Sequence, residues 1–198
     1  MVQNRVLDVC TVGGKKIRLS NYTHILAFHA CREEDERVFR TQGLRPYTRA
    51  EALAAAIQKL EGDRVSREQI EAAFNILWEE TQTSRPARVW LMLQTEEFLS
   101  ASTHYLIYGS EFLNALAMRL GCRDKLSRIG KPMIVVCTIP ITDISSCWLS
   151  DLEQDIKNRN TGNRSIAVRS VAPKNIVDIL YPTEYVHDPY SWCLVKLG

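Results

Sequence analysis

The segment from Lys131 to Ile141, KPMIVVCTIPI, is the most apolar stretch of the sequence. A short continuous apolar run of this kind, rich in β-branched residues, is typical of a strand buried at the centre of a sheet. The sequence therefore predicts a β-sheet in which this segment is a central strand.

Further strands are predicted before and after it. Gly13 and Gly14 separate two short strand-like segments, which predicts a hairpin of Val6 to Val12 with Lys16 to Leu19. The remaining predicted strands are Ile25 to Phe28, Arg88 to Leu93 and Ser165 to Val171.

Helix start signals stand between these strands. Thr48 with Glu51 and Ser66 with Gln69 are capping boxes, each ahead of an apolar-periodic run, and they predict two helices within residues 48–82. Ser110 is a candidate N-cap. The other predicted helices are Glu111 to Leu120, Asp151 to Arg159 and one beginning at Glu96. The pattern predicts a single α+β domain over residues 1–198, with a helical insertion at about residues 48–82.

Composition narrows the class of protein. With 198 residues, 45% of them hydrophobic, and neither a long apolar run nor an apolar leader, we expect a globular domain that has no membrane partner. The net charge of +2 does not indicate a dedicated nucleic-acid binder, although basic residues cluster at Gly14 to Arg18 and at Lys157 to Arg169. The six cysteines are scattered, without a CxxC pair, which favours reduced thiols in the cytoplasm and no metal site.

The segment from Ile25 to Pro46 carries the main functional signal. An apolar strand is followed by His29 and Arg32, and a helix is predicted from Glu33 to Gln42 with Gly43 as its C-cap. This order predicts that both side chains lie at a strand-to-helix corner. The first-turn amides of such a helix would favour an anion such as a pyrophosphate.

These residues resemble a known family. His29-Ala30-Cys31-Arg32, followed by Gly43-Leu44-Arg45-Pro46, resembles the first NAD-binding motif of the ADP-ribosyltransferase superfamily. The similar branches are the poly(ADP-ribose) polymerases, the RNA 2′-phosphotransferases and the DNA-modifying toxin transferases. RVWLML resembles the second motif, with Trp90 where a tyrosine usually stacks on nicotinamide, and Ser165 to Leu180 resembles the last strand. The resemblance implies an α+β fold with a mixed or antiparallel split β-sheet and flanking helices, and NAD as substrate.

The resemblance also raises the question of the catalytic carboxylate, because Ser165 stands where the family's last strand opens with a glutamate. We take Glu111 as the candidate, at a helix N-terminus in the motif Tyr108-Gly109-Ser110-Glu111, with Ser110 as an NAD-binding neighbour. Glu184 is a second candidate. A carboxylate near the ribose 2′-hydroxyl would offset the positive charge of an oxocarbenium-like state.

The other site residues follow from the same resemblance. His29, with Ala30 beside it, would contact a ribose, and Arg32 would pair with the diphosphate. Tyr105 or Tyr108 would stack on nicotinamide. Each residue also has a structural interpretation: His29 as a core histidine, Arg32 as a surface ion-pairing residue, and the two tyrosines as core packing.

The resulting hypothesis is an NAD-dependent ADP-ribosyltransferase that acts on a macromolecule, either nucleic acid or protein. A bacterial toxin or an antiphage effector of this type would have a neutralising antitoxin partner. The alternatives are a catalytically inactive NAD-binding module and an enzyme like the RNA 2′-phosphotransferases.

Overall fold

The computed structural model of the protein describes residues 5–81 and 87–198. The helices of this part of the chain are α1 (Val9–Val12), α2 (Arg37–Gln42), α3 (Arg49–Leu60), α4 (Arg67–Thr81), α5 (Glu96–Ser100), α6 (His104–Tyr108), α7 (Glu111–Arg119), α8 (Arg123–Leu126), α9 (Ser146–Leu149) and α10 (Leu152–Asn158). The strands are β1 (Val6–Leu7), β2 (His24–Glu33), β3 (Val89–Met92), β4 (Lys131–Pro140), β5 (Ser165–Val168), β6 (Ile176–Leu180), β7 (Tyr185–His187) and β8 (Leu194–Lys196). Short 3-10 helices lie at Leu19–Asn21, Ile141–Asp143 and Pro173–Asn175.

The main sheet has the strand order β5-β3-β2-β4-β6, and neighbouring strands in it are antiparallel. β1 is the exception, since it runs parallel to the start of β2. β7 and β8 form a separate antiparallel hairpin. The predicted α+β class, with a mixed sheet and flanking helices, is therefore confirmed.

The central strand is confirmed as well. β4 pairs with β2 along the whole length of both strands, from His24 opposite Pro140 to Glu33 opposite Lys131, and it pairs with β6 on its other edge. Val135 and Cys137 are fully buried. The apolar run is buried because it has a strand on each edge and a packed layer on each face.

The pairing between β2 and β3 is short. Within residues 5–81 and 87–198 the register between these strands is one pair, Phe28 opposite Met92, whereas β3 pairs with β5 over its full length. Next to that pair, Nδ1 of His29 is 3.0 Å from the carbonyl oxygen of Trp90. A side chain thus bridges the two strands where the ladder is interrupted.

Two apolar layers cover the sheet, because alternate side chains of a strand point to opposite faces. Phe28 and Ala30 of β2 are buried against α3, α4, α6 and α7, on what we call the α6 face. Ile25 and Ala27 are buried against α2 and α10, on what we call the α10 face. Each face therefore has its own core.

The helical insertion is part of the α6-face core. Thr48 and Glu51 form both hydrogen bonds of the predicted capping box at α3. Ala56 of α3 and Phe74 of α4 have no exposed surface. These helices are scaffold, since removing them would uncover one face of the sheet; residue 82, the predicted end of the insertion, lies outside the described residues.

The predicted N-terminal hairpin is wrong. The segment Val6 to Val12 is a strand only at Val6–Leu7, and it continues as helix α1. The physical reason is Asp8, whose carboxylate accepts a hydrogen bond from the Cys10 backbone N–H at 2.9 Å and so caps a helical turn. The segment Lys16 to Leu19 is not a strand, and Leu19 begins a 3-10 helix.

The predicted strand-to-helix corner is also displaced. β2 does not end at Phe28 but continues to Glu33, because every residue up to that position pairs with β4. His29 is therefore in the middle of a strand. The helix begins at Arg37 and not at Glu33, and the predicted C-cap Gly43 is confirmed. An added Cβ at Gly43 would lie 2.0 Å from the carbonyl oxygen of Val171, so only glycine fits there.

The predicted elements elsewhere are confirmed with shorter bounds. β3, α5, α7, α10 and β5 lie within or beside their predicted ranges. The α-helices and strands without a separate prediction are α1, α6, α8, α9, β6, β7 and β8.

Candidate active site

The turn between α6 and α7 brings several of the predicted site residues together. Gly109 ends α6 with a φ angle of 81°, and the Ser110 hydroxyl accepts a hydrogen bond from the Leu113 N–H at 3.4 Å, which begins α7. An added Cβ at Gly109 would lie 3.4 Å from the Cβ of Arg32. This α6–α7 corner therefore packs against the last residues of β2.

Tyr105 and Glu111 form a hydrogen-bonded pair at the corner. The Tyr105 hydroxyl donates to Oε2 of Glu111 at 3.3 Å. Burial of the phenol, reinforced by the Glu111 charge and the hydrogen bond to it, raises the pKa of Tyr105 to about 12. The phenol is thus protonated at neutral pH, while the exposed Glu111 carboxylate is accessible to a ligand.

Arg32 places a fixed cation against α6, the helix that carries Tyr105. Its Nε donates to the carbonyl oxygen of Ile129 at 2.9 Å, and one terminal nitrogen donates to the carbonyl oxygen of Leu106 in α6 at 3.2 Å. Partial burial lowers the pKa of Arg32, but an arginine remains protonated under all ordinary conditions. The guanidinium is held by two carbonyls and not by a carboxylate, so its charge is not neutralised by these contacts.

His104 adds a second ring next to Tyr105. The two ring centroids are 4.1 Å apart, and the ring of Tyr190 lies 6.2 Å from His104. Burial lowers the pKa of His104, an effect opposed by the charge of Glu111. His104 is therefore a neutral imidazole at pH 7, and Tyr105 and His104 together make a two-ring surface beside the carboxylate.

Tyr108 has a different environment. It is buried, and its hydroxyl donates to Oδ2 of Asp188 at 2.7 Å. The guanidinium carbon of Arg123 lies 5.1 Å from the Tyr108 ring centroid, and the Tyr190 ring lies 6.1 Å away. Both the hydroxyl and the ring of Tyr108 are thus engaged by protein groups, so its predicted stacking on nicotinamide does not fit this placement.

Asp188 is the centre of this buried group. Besides Tyr108, it accepts hydrogen bonds from the Ser191 hydroxyl and, at 3.0 Å, from the Tyr190 backbone N–H. Burial would raise the pKa of Asp188, but the hydrogen bonds from Ser191, Tyr108 and Tyr190, together with the Arg123 charge, hold it below its ordinary value. Sequence reasoning missed Asp188, Tyr190 and Arg123, because no local motif marks residues that meet only through tertiary packing.

His29 and Trp90 lie apart from the α6–α7 corner. His29 lies on the α10 face of β2, whereas Arg32 lies on the α6 face. The two residues are three positions apart, and alternate side chains of a strand point to opposite faces. Burial lowers the pKa of His29. Trp90 is 54% exposed and packs edge-on against Trp148, with 5.1 Å between the ring centroids.

Ala30 and Ser165 complete the predicted set. Ala30 is buried in the core of the α6 face, next to α6, and the residue is only 4% exposed. Ser165 begins β5, opposite Met92. The structure thus places Arg32, Tyr105, Ser110 and Glu111 at or beside one corner, whereas the Tyr108 side chain is buried against Asp188.

The second candidate carboxylate, Glu184, immediately precedes β7 and is exposed. Its carbonyl oxygen accepts a hydrogen bond from the Leu197 N–H at 2.9 Å. The carbonyl oxygen of His187, at the other end of β7, accepts a hydrogen bond from the Thr103 hydroxyl at 2.7 Å, so β7 is anchored at the start of α6.

The predicted anion site at the start of α2 is not formed. The Asp35 carboxylate accepts a hydrogen bond from the Arg37 N–H at 3.0 Å and forms an ion pair with the Arg37 guanidinium at 2.8 Å. The first-turn amide is thus already bound to a carboxylate, and Glu36 lies beside it. A pyrophosphate would be repelled at this position.

No group of His, Cys, Asp or Glu side chains that could hold a metal ion occurs within residues 5–81 and 87–198. Over the same residues, none of the helices combines the length and apolar character needed to cross a membrane. In comparisons with known proteins, no family model, curated protein or solved structure matches the chain.

Proposed function

We propose that the chain is an NAD-dependent ADP-ribosyltransferase with an ADP-ribosyltransferase-like fold, and that its reacting centre is the α6–α7 corner. The observation that carries this proposal is the hydrogen bond between the Tyr105 hydroxyl and the exposed Glu111 carboxylate, at 3.3 Å, next to a helix whose Leu106 carbonyl holds the charged Arg32. The short pairing between β2 and β3 is in keeping with the split sheet that the sequence resemblance implies.

The proposed reaction breaks the bond between C1′ of the ribose and the nicotinamide nitrogen. Nicotinamide leaves as a neutral molecule with the bonding electron pair, and C1′ forms a new bond to an acceptor atom, whose proton is released to solvent. Positive charge develops on the ribose in the transition state. Glu111 would accept a hydrogen bond from the 2′-hydroxyl and offset this charge.

The neighbouring groups would bind the rest of NAD. Arg32 would attract the diphosphate, because its guanidinium is tied to carbonyl oxygens and keeps its full charge. The rings of Tyr105 and His104 would stack against nicotinamide, whose cationic ring is favoured by an aromatic face. Tyr105 would also orient Glu111, since its raised pKa keeps it a hydrogen-bond donor.

The test is release of nicotinamide from NAD by the purified protein, with RNA, DNA or mixed protein as acceptor. We expect release by the wild type, and a loss of about 100-fold or more in Glu111→Gln, because an interaction made with charge that develops in the transition state is removed. Glu79→Gln is the matched control, since Glu79 is exposed on α4. It should change the rate by less than about twofold, the small effect expected for a distant surface site.

Glu184→Gln separates the two candidate carboxylates. Full activity in Glu184→Gln with none in Glu111→Gln supports the assignment. The reverse result would move the catalytic carboxylate to β7 and overturn the role given to Glu111. NAD binding without release by the wild type would favour the inactive NAD-binding module, and turnover of a 2′-phosphorylated RNA would favour the phosphotransferase alternative.

The biological setting is part of the proposal. Six cysteines without a disulfide fit a reducing compartment such as the cytoplasm. A transferase that modifies nucleic acid or protein there would act as a toxin or an antiphage effector, and it would need a neutralising antitoxin partner in the same cell.

A further inference from the structure

Two basic segments that lie far apart in the sequence meet on the surface of the α10 face. The Gly14 N–H donates to the carbonyl oxygen of Ile156 at 2.7 Å, and an added Cβ at Gly14 would lie 2.8 Å from Nε of Arg159. The Leu19 N–H donates to Oε1 of Glu153, 134 residues away, at 2.7 Å. Residues 14–19 are thus fixed against α10 and the loop after it.

This packing concentrates positive charge. We define the basic surface as five exposed side chains: Lys15, Lys16, Arg18, Lys157 and Arg159. Among residues 5–81 and 87–198, the ion pairs within 4.0 Å do not include any of these five.

The acidic groups nearby cancel only a part of this charge. Glu153 keeps its negative charge, because the Leu19 amide that bonds to it is neutral, and Asp155 is already paired with Arg164 at 3.3 Å. The basic surface therefore carries more positive than negative charge. Because the whole chain has a net charge of only +2, the positive charge of the basic surface is a local concentration.

A cavity opens beside the basic surface. It has a volume of about 390 Å³ and is lined by Lys16, Ile17, Arg18, Asn21 and Tyr22. Its wall thus combines two cations, an amide and an aromatic ring. These are the groups that contact phosphate, base edges and base faces in nucleic-acid complexes.

The exposed indole of Trp90 lies on the other side of the sheet from the basic surface. Val89 and Leu91, its neighbours in β3, are buried in the core of the α10 face. Because alternate side chains of a strand point to opposite faces, the Trp90 indole, which is 54% exposed and packs edge-on against Trp148, points away from that face. The aromatic ring that accompanies the basic surface is that of the half-buried Tyr22, which lines the cavity and offers a face on which an unpaired base can stack.

We propose that the basic surface and the cavity beside it form a binding site for single-stranded nucleic acid. The cations bind the phosphates, and the Tyr22 ring stacks on a base that a duplex would keep inside its helix. Binding itself does not depend on the transfer reaction. That the bound strand is the ADP-ribose acceptor rests on the proposed function.

The test is fluorescence anisotropy with labelled 20-nucleotide dT and U strands and a 20-base-pair duplex, without NAD. For about five phosphate contacts, we expect affinity for a single strand to fall by about 100-fold between 50 and 200 mM salt. The triple variant Lys16→Glu, Arg18→Glu, Arg159→Glu should lower affinity by at least about 30-fold at 50 mM salt and flatten the salt dependence.

The matched control is Arg49→Glu, Arg67→Glu, Lys174→Glu, which changes the net charge equally at exposed positions elsewhere. It should weaken binding by less than about threefold, since distant charges are screened. Equal weakening by both triple variants, or no binding of any strand at 50 mM salt, would overturn the site.

Tyr22→Leu tests the stacking step, because leucine keeps the apolar contact of Tyr22 with the core and removes the aromatic ring. It should lower single-strand affinity by about 5- to 100-fold and leave duplex affinity unchanged, whereas Trp90→Ala, on the opposite face, should bind like the wild type. A duplex that binds the wild type as tightly as the single strands would contradict the stacking role of Tyr22. Glu111→Gln should bind both strands like the wild type, so that failure of the binding site and failure of the transfer chemistry give different results.

Discussion

Helix α6 carries two tyrosines three residues apart, and each donates a hydrogen bond to a carboxylate. Tyr105 bonds to Glu111 at 3.3 Å, and Tyr108 bonds to Asp188 at 2.7 Å. Glu111 is exposed and belongs to the next helix, whereas Asp188 is 2% exposed and belongs to the loop between β7 and β8. The same chemical pair therefore occurs once at the surface and once in the interior.

Burial and the number of donors separate the two pairs. Asp188 is satisfied by Tyr108, Ser191 and the Tyr190 amide, which leaves little capacity to bind a substrate. Glu111 has Tyr105 as its side-chain donor, and the remaining acceptor positions of its carboxylate face solvent. A tyrosine–carboxylate pair thus stabilises the fold when every acceptor position of the carboxylate is hydrogen-bonded. When some of these positions face solvent, the carboxylate can bind a substrate.

Substituting the two carboxylates should give the largest difference. We expect Asp188→Ala to lower the free energy of unfolding by about 3 kcal/mol, because three donors lose a buried charged acceptor. Glu111→Ala should cost less than about 0.5 kcal/mol, as an exposed side chain does. Urea unfolding at pH 7 measures both, and similar losses would show that the two pairs do not differ in structural role.

The two tyrosines should differ by a smaller amount. Tyr108→Phe removes one donor from Asp188 and should cost about 1.5 kcal/mol, whereas Tyr105→Phe should cost less than about 0.5 kcal/mol. A double-mutant cycle of Tyr108→Phe with Asp188→Asn should show a coupling of about 1 kcal/mol or more. The cycle of Tyr105→Phe with Glu111→Gln should show almost none, and a coupling as large as in the buried pair would refute the distinction.

The surface pair could be predicted from the sequence in part, and the buried pair could not. Ser110 and Glu111 belong to a local helix start, whose signals lie within four residues, and the same holds for the capping box at Thr48. Tyr108 and Asp188 are 80 residues apart. Only tertiary packing of the β7–β8 hairpin on α6 brings them together.

The same division explains the errors in the fold. The central strand β4 was predicted because its apolar run is a property of its own residues. The length of β2 depends on pairing with β4, and this pairing carries Arg32 and Glu33 into the strand despite the acidic residues that follow. At the N-terminus, Gly13 and Gly14 were interpreted as the turn of a hairpin, and the helix cap formed by Asp8 was missed.

The smallest expected difference between the two pairs is in their response to acid. The folded-state pKa of Asp188 lies below its ordinary value of about 3.9, because hydrogen bonds and the Arg123 charge outweigh burial. A carboxylate with a depressed pKa contributes stability that is present above about pH 4 and is lost as pH falls through the folded pKa. The stability advantage of the wild type over Asp188→Asn should therefore shrink as pH falls from 5 to 3, in urea unfolding at each pH. An advantage that stays constant over this range would show that Asp188 contributes through its shape and hydrogen bonds alone, and that its charge does not distinguish it from Glu111.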